Sequence, residues 1–110
     1  MIKGGLVMKF VVTWKVRSGG SAAENEASAA RILEAYSKWT PPADATFHQF
    51  LVRGDGEGGF AVVEGDDQAA MALSIFKLSP YLEYAIYPVL DIEQAIGLYA
   101  EAIEFRNSIT

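Results

Sequence analysis

TFHQFLVRGDGEGGFAVVEGDD, residues 46–67, combines two apolar stretches, a glycine-rich turn and the start of a helix. Residues 46–53 and 60–64 are rich in aromatic and β-branched side chains, which favour strands. The glycines of 54–59 supply the positive φ angles that a hairpin turn needs, and we expect Gly58 or Gly59 to adopt one. Asp66 or Asp67 then caps a helix. The stretch predicts a β-hairpin followed by a helix.

Working outward from this hairpin, the remaining segments predict the order β-α-β-β-α-β-α. Residues 9–15 and 81–89 are apolar and predict the first and last strands. Helices are predicted over 22–39, 67–78 and 92–106, and Asp91 with Gln94 resembles a capping box for the last one. The expected apolar stripes of the three helices are, in order, Ala29, Ile32, Leu33 and Tyr36; Ala69, Ala70, Leu73 and Phe76; and Ile92, Ala95, Ile96, Tyr99 and Ile103.

The first six elements follow the ferredoxin-like βαββαβ pattern, so the predicted fold is α+β with an extra C-terminal helix. Its four-stranded, mostly antiparallel sheet would carry helices on one face. FVVTW, FLV, FAVV and YAIYPVL are nevertheless apolar on both sides of their strands. A second copy packing sheet against sheet would cover the other face, which predicts a homodimer. A monomer with an apolar outer face is the alternative.

Length and charge narrow the possible partners. The 110 residues suit one domain over 8–110, preceded by an N-terminal tail over 1–7. The net charge is −5 and the basic residues are scattered along the sequence, so neither nucleic acid nor a membrane is an expected partner. The sequence has no cysteine and no apolar run long enough to span a bilayer, and we expect a cytoplasmic protein.

The turn GDGEGG invites a comparison with phosphate-binding loops. Such loops open a helix, whereas a strand is predicted after this turn. The lysine of a nucleotide-binding loop is missing, and Asp55 and Glu57 would repel phosphate. The interpretation that fits is a hairpin turn.

His48 is the single histidine of the chain. Side chains alternate along a strand, so His48, Phe50 and Val52 are predicted to share one face. If Val52 lies across from Phe60, then His48 lies across from Glu64, and the two form a candidate catalytic pair acting as an oriented general base. A register slip of one residue would place Glu64 on the opposite face.

Two other roles for this histidine stay open. It could be a half-buried side chain satisfied by a backbone carbonyl or water, or a haem or metal ligand. One histidine without cysteine is far short of a structural zinc site, so no metal and no cofactor are predicted. For a bound small molecule, the candidate ligand-binding residues are His48, Phe50, Trp39, Tyr87 and Trp14, since Tyr and Trp offer an apolar body with one polar group.

Short motifs spread over residues 8–108 resemble a small bacterial family of unknown function within the dimeric α/β-barrel superfamily. They are FVVTW (10–14), KW-PP (38–42), HQF (48–50), RGDGEGGF (53–60), VVEGDD (62–67), SPY (79–81) and YPVLDIEQA (87–95). The resemblance implies ferredoxin-like protomers that pair through their sheets. It implies no activity for this family, although the wider superfamily includes cofactor-independent oxygenases, lactone isomerases, haem-degrading enzymes and ligand binders.

Three functions follow as hypotheses. The first is a protein that binds a small apolar or aromatic molecule in a cavity beside the sheet. The second is a non-enzymatic structural or regulatory dimerisation module. The third is a cofactor-free or haem-handling monooxygenase-like enzyme. The sequence leaves open whether the protein is an enzyme, and a cavity with converging polar groups would favour the first hypothesis over the second.

Overall fold

A computed structural model describes residues 7–109, and its seven elements follow the predicted order. The strands are β1 (Met8–Val16), β2 (Thr46–Val52), β3 (Gly58–Gly65) and β4 (Leu82–Val89). The helices are α1 (Ala22–Lys38), α2 (Gln68–Phe76) and α3 (Ile92–Ser108). Apart from Val7, the N-terminal tail predicted for 1–7 lies outside the described residues.

The four strands form one sheet in the order β2-β3-β1-β4, and every neighbouring pair is antiparallel. β1 therefore lies between β3 and β4, while β2 and β4 are the edges. Each β-α-β connection skips one strand, which is the ferredoxin-like arrangement predicted from the sequence.

Caps fix where the first two helices begin. Ser21 and Glu24 form a reciprocal capping box at α1, and the Ser21 backbone N–H that donates to Glu24 lowers the pKa of this carboxyl. Asp67 caps α2 by accepting from the Ala70 N–H at 3.0 Å. The capping box predicted at Asp91 is wrong: its carboxylate makes no cap hydrogen bond and instead accepts from Lys9 Nζ at 3.1 Å.

The two faces of the sheet differ in what covers them. On the covered face, Val12, Ala61 and Val63 are buried, and Met71 of α2 packs against them. The Trp39 indole at the end of α1 donates to the Ser74 carbonyl of α2 at 3.1 Å, which ties the two helices together. The open face carries the alternate residues of the strands, and their side chains are half-buried or exposed.

The predicted inward stripes of α1 and α2 are only partly confirmed. Ile32 is half-buried and the Tyr36 ring contacts Phe50 of β2, but Leu33, Leu73 and Phe76 are exposed, Phe76 to 65%. Ile32 and Ala35 lie at helical spacing with Trp39, whose indole donates to α2, and all three are half-buried. The inward side of α2 instead holds Met71 and the buried Ser74.

The apolar stripe predicted for α3 exists but has no cover within the described chain. No residue of α3 is buried, and Tyr99 in its middle is 70% exposed. The longest dimension of the molecule is 61 Å. A strand and a 17-residue helix laid end to end span about 55 Å, which is close to this value. α3 therefore extends beyond the sheet rather than folding back onto it.

The turn between β2 and β3 uses its glycines differently from the prediction. Positive φ occurs at Gly56 (+74°), whereas Gly58 and Gly59 adopt none, so that expectation is wrong. Both belong to β3 and are buried. A Cβ on Gly59 would lie 2.2 Å from the Leu51 carbonyl oxygen and 2.5 Å from the Trp14 ring. These glycines are needed for close approach rather than for conformational freedom.

We therefore expect Gly59→Ala to lower the free energy of unfolding by about 1–3 kcal/mol, because the added methyl overpacks the sheet against Trp14. Gly54→Ala is the matched control, since a Cβ there meets no atom within 4 Å among the described residues. Urea unfolding of the two variants measures both values. Equal stability of the two proteins would contradict this account of the turn.

Candidate functional site

A β-bulge in β2 decides where His48 lies. Val52 pairs with Gly59 and Phe50 with Ala61, one residue away from the register predicted from the sequence. The register then shifts between Phe47 and Gln49, so the extra residue turns His48 to the other face. The prediction that His48 shares a face with Phe50 and Val52 is therefore wrong.

The predicted contact between His48 and Glu64 nevertheless forms. His48 Nε2 lies 2.8 Å from Glu64 Oε1 on the open face. The observed β2–β3 register differs by one residue from the predicted one and places Glu64 on the open face. The bulge places His48 on the same face, so the predicted pair forms in spite of both differences. The side chains are 44% and 37% exposed, respectively. The carboxylate can fix the orientation of the imidazole, which is the geometry that an oriented general base requires. Their catalytic role stays a prediction.

The register arranges the open face in four rows that cross the sheet from β4 to β2. The two middle rows are mainly apolar, and the two outer rows carry charged groups. From the end near α3, the rows are Val89, Lys9, Glu64 and Thr46; Tyr87, Val11, Val62 and Gln49; Ala85, Thr13, Phe60 and Leu51; Glu83, Lys15, Gly58 and Arg53. His48 joins the first row through the bulge. We call the last row the basic end.

A depression of about 440 Å³ lies at the basic end. Val11, Thr13 and Phe60 contribute to its lining, and Lys15 and Arg53 carry its positive charge. His48 is not among its lining residues and lies about four residues away along the strands, roughly 13 Å. The open face therefore carries polar groups at both ends of an apolar middle.

The covered face holds a cluster of five aromatic rings with centroids 5.2–6.3 Å apart. Its members are Trp14, Tyr36, Trp39, Phe47 and Phe50. Most of the pairs meet edge to face, a favourable arrangement for aromatic rings. The cluster fills the space between β2 and the end of α1 with its own side chains.

The five predicted ligand-binding residues are thus divided between the faces. Trp39 and Phe50 pack in the aromatic cluster, whereas His48 and the exposed Tyr87 lie on the open face. Trp14 belongs to the cluster and also lines the depression. The structure does not bring the five together as one site.

The last strand places its two predicted tyrosines on opposite faces, as alternation requires. Tyr87 lies on the open face beside Val11. Tyr84 lies beside Trp14, and burial raises the pKa of its hydroxyl to about 12. Tyr84 nevertheless contributes to the lining of the depression, whereas Tyr87 lies on the open face outside it.

Sequence reasoning missed the basic end. Lys15, Arg17 and Arg53 are far apart in sequence and seemed scattered, but the pairing of β1 with β3 and of β3 with β2 gathers them at one end of the sheet. The position of two arginines in the sequence could have indicated this cluster, since Arg17 and Arg53 each follow the last residue of a strand.

Two other kinds of site are absent from residues 7–109. No group of three His, Asp or Glu side chains there is arranged to hold a metal ion. None of the helices in this range has the length and apolar character needed to cross a membrane.

Residues 8–103 match a family model described as a domain of unknown function, DUF3303. This chain belongs to the DUF3303 family. The match covers all four strands and most of α3. No curated protein matches the chain significantly.

Solved structures with low similarity to this DUF3303 chain include a variant of SnoaB, a cofactor-independent oxygenase from Streptomyces nogalater (16% identity, TM-score 0.37, covering 78% of this chain and 93% of that one). An EthD-family protein from Bacillus halodurans C-125 is 12% identical with a TM-score of 0.33, over 76% of this chain and 99% of that one. A dimeric ferredoxin-like protein of unknown function from Thermobifida fusca YX is also 12% identical with a TM-score of 0.33, covering 77% and 92%. Similarity at this level assigns no activity to the DUF3303 chain.

The structure gives Trp39 a packing role and places His48 at the surface. We expect His48→Gln to change the free energy of unfolding by less than about 1 kcal/mol, because its pair with Glu64 is exposed. Trp39→Ala should lower it by about 3–5 kcal/mol, because the indole holds the aromatic cluster and α2 together. Thermal and urea unfolding check both values. A His48→Gln loss as large as that of Trp39→Ala would make His48 a packing residue.

Proposed function

We propose that this DUF3303 chain forms a homodimer in which two open faces meet and enclose a site for a small apolar or aromatic molecule. The observation that supports the proposal is the uncovered apolar middle of the open face, which holds Val11, Phe60, Val62 and Tyr87. Apolar patches of this kind on a protein surface commonly mark interaction sites.

A second copy suits this surface because an apolar sheet face can pack against another sheet. Two sheets pack face to face about 10 Å apart, with their side chains interdigitating. Four strands and four rows give roughly 400 Å² of projected area per copy, below the roughly 600 Å² per partner of the smallest stable interfaces, so contacts beyond these rows would have to contribute. Burying the middle rows removes them from water at a gain of about 25 cal/mol per Å² of apolar area.

The ligand site would be the depression at the basic end. Its volume, about 440 Å³, lies within the range of small-molecule pockets. In the protomer it opens to solvent, and the facing sheet of a second copy would close it. Tyr87 and the His48–Glu64 pair border the same apolar middle, where the imidazole would serve as a polar anchor for the bound molecule.

A dimerisation module without a ligand is the second candidate. It is favoured by the aromatic cluster, which packs on itself and leaves Trp39 and Phe50 engaged with each other. In that case side chains of the partner would fill the depression.

A cofactor-free or haem-handling oxygenase ranks below both, since among the described residues only the His48–Glu64 pair supports it. A cytoplasmic location completes the proposal and is compatible with the cysteine-free sequence.

Two neighbouring residues of β2 test the interface. Leu51 lies on the open face and is 47% exposed, whereas Val52 lies on the other face and is 70% exposed. Light scattering at micromolar concentration should give about twice the 11.9 kDa chain mass for the unmodified protein and for Val52→Glu. Leu51→Glu should give a monomer, because a dimer would bury its charge. A monomeric unmodified protein, or a dimeric Leu51→Glu, would contradict the proposed interface.

Adjacent residues of β4 test the ligand site. Ala85 lines the depression, whereas Ile86 points to the opposite face. We expect the fluorescent probe N-phenyl-1-naphthylamine to bind the unmodified protein and Ile86→Trp, but not Ala85→Trp, whose indole would fill the depression. A probe that extends from the depression across the apolar middle would approach the imidazole, so His48→Gln should weaken its binding by tenfold or more, about 1.4 kcal/mol.

Fluorescence titration with stoichiometry measures these affinities, and light scattering confirms that each variant keeps its assembly. Equal binding by Ala85→Trp and Ile86→Trp would place the probe elsewhere. Absence of binding by the unmodified dimer would favour the dimerisation module.

A further inference from the structure

We infer that the depression selects acids: apolar or aromatic molecules that carry one carboxylate or similar anionic group, bound at the basic end by Lys15 and Arg53. This inference rests on the proposed ligand site and adds the chemical class of the ligand. The chain has a net charge of −5, yet three of its nine Lys and Arg residues, Lys15, Arg17 and Arg53, converge at this end of the sheet.

Two of these cations already have partners. Arg17 donates from Nε to the Ser79 carbonyl at 3.1 Å, and its Nη1 lies 3.9 Å from Glu83. Glu83 borders the depression, so its pairing with Arg17 reduces the repulsion that its carboxylate would exert on an acid. Arg53 donates from Nη2 to Asp55 at 2.5 Å, but its side chain stays 55% exposed. A bidentate guanidinium has further N–H donors for a second anion.

Lys15 differs from both. Among residues 7–109, no carboxylate lies within ion-pair distance of its ammonium group. Glu83, its neighbour across the strand pair, is engaged by Arg17 instead. Lys15 is therefore the uncompensated positive charge that borders the depression.

The row that contains Lys15 also holds the second cation of the site. Lys15 of β1 and Arg53 at the β2 end lie on either side of Gly58, which has no side chain to separate them. Both cations line the depression. Thr13, on the next row, adds a hydroxyl that can donate to the same group. The apolar remainder of a ligand would extend over Phe60 and Val11.

Closure of the site strengthens the requirement for an anion. When a second copy covers the open face, water around the Lys15 ammonium is reduced, and a buried charge without a partner is costly. A bound carboxylate would supply that partner through a charge-assisted hydrogen bond. A neutral ligand would leave the ammonium unpaired, so discrimination between an acid and its neutral analogue follows from the same geometry.

Two fluorescent probes isolate this property because they share one skeleton. 8-Anilinonaphthalene-1-sulfonate is N-phenyl-1-naphthylamine with an added sulfonate. We expect the unmodified dimer to bind the sulfonate probe at least tenfold more tightly than the neutral probe. Lys15→Met, which keeps an apolar stem, should lower the affinity for the sulfonate probe about tenfold and leave that for the neutral probe within twofold. Lys77→Met, at the end of α2, is the control and should change neither.

Competition extends the test to carboxylates. 1-Naphthoate should displace the sulfonate probe more effectively than 1-naphthalenemethanol, and Lys15→Met should abolish that difference. Equal affinity for the two probes, or a preference that Lys15→Met leaves intact, would overturn the inference while leaving the ligand site in place. Absence of binding by both probes would instead overturn the proposed function itself.

Discussion

A sheet with apolar side chains on both faces and helices on one face is the constraint on which the rest of this structure depends. Met71 of α2 packs against Val12, Ala61 and Val63, and the aromatic cluster joins the end of α1 to β2 on the same face. The open face keeps an apolar middle for which the described chain provides no cover. Exposed apolar area is unfavourable in water, which is the physical basis of the proposed dimer, and the charged outer rows would limit where a second copy can pack.

A single backbone irregularity gives the open face its chemical asymmetry. Without the bulge, His48 would share the covered face with Phe50. With it, the imidazole joins Glu64 at one end of the open face, opposite the basic end formed by Lys15 and Arg53. β-bulges often redirect one side chain in this way near functional sites. The apolar middle is therefore bordered by an oriented histidine on one side and by cations on the other.

The sequence predicted the features that depend on local pattern. Alternation, helix caps and turn residues placed all seven elements, and the two-sided apolar strands identified an uncovered face. The features that failed depend on tertiary contacts. The β2–β3 register depends on which residues pair across two strands, and the Trp39–Ser74 hydrogen bond joins two helices that are 35 residues apart in sequence. Neither feature has a local signature, so the bulge and the exposure of Leu33 and Phe76 could not be predicted.

Contacts between two open faces test the account most directly. Dimers mixed from isotope-labelled and unlabelled chains allow nuclear Overhauser effects between protomers to be separated from those within one protomer. The account predicts cross-peaks between protomers that connect methyl groups of Val11 and Val62 with the rings of Phe60 or Tyr87, all of which lie on the open face. Cross-peaks between protomers confined to the helices, with none from these side chains, would contradict it.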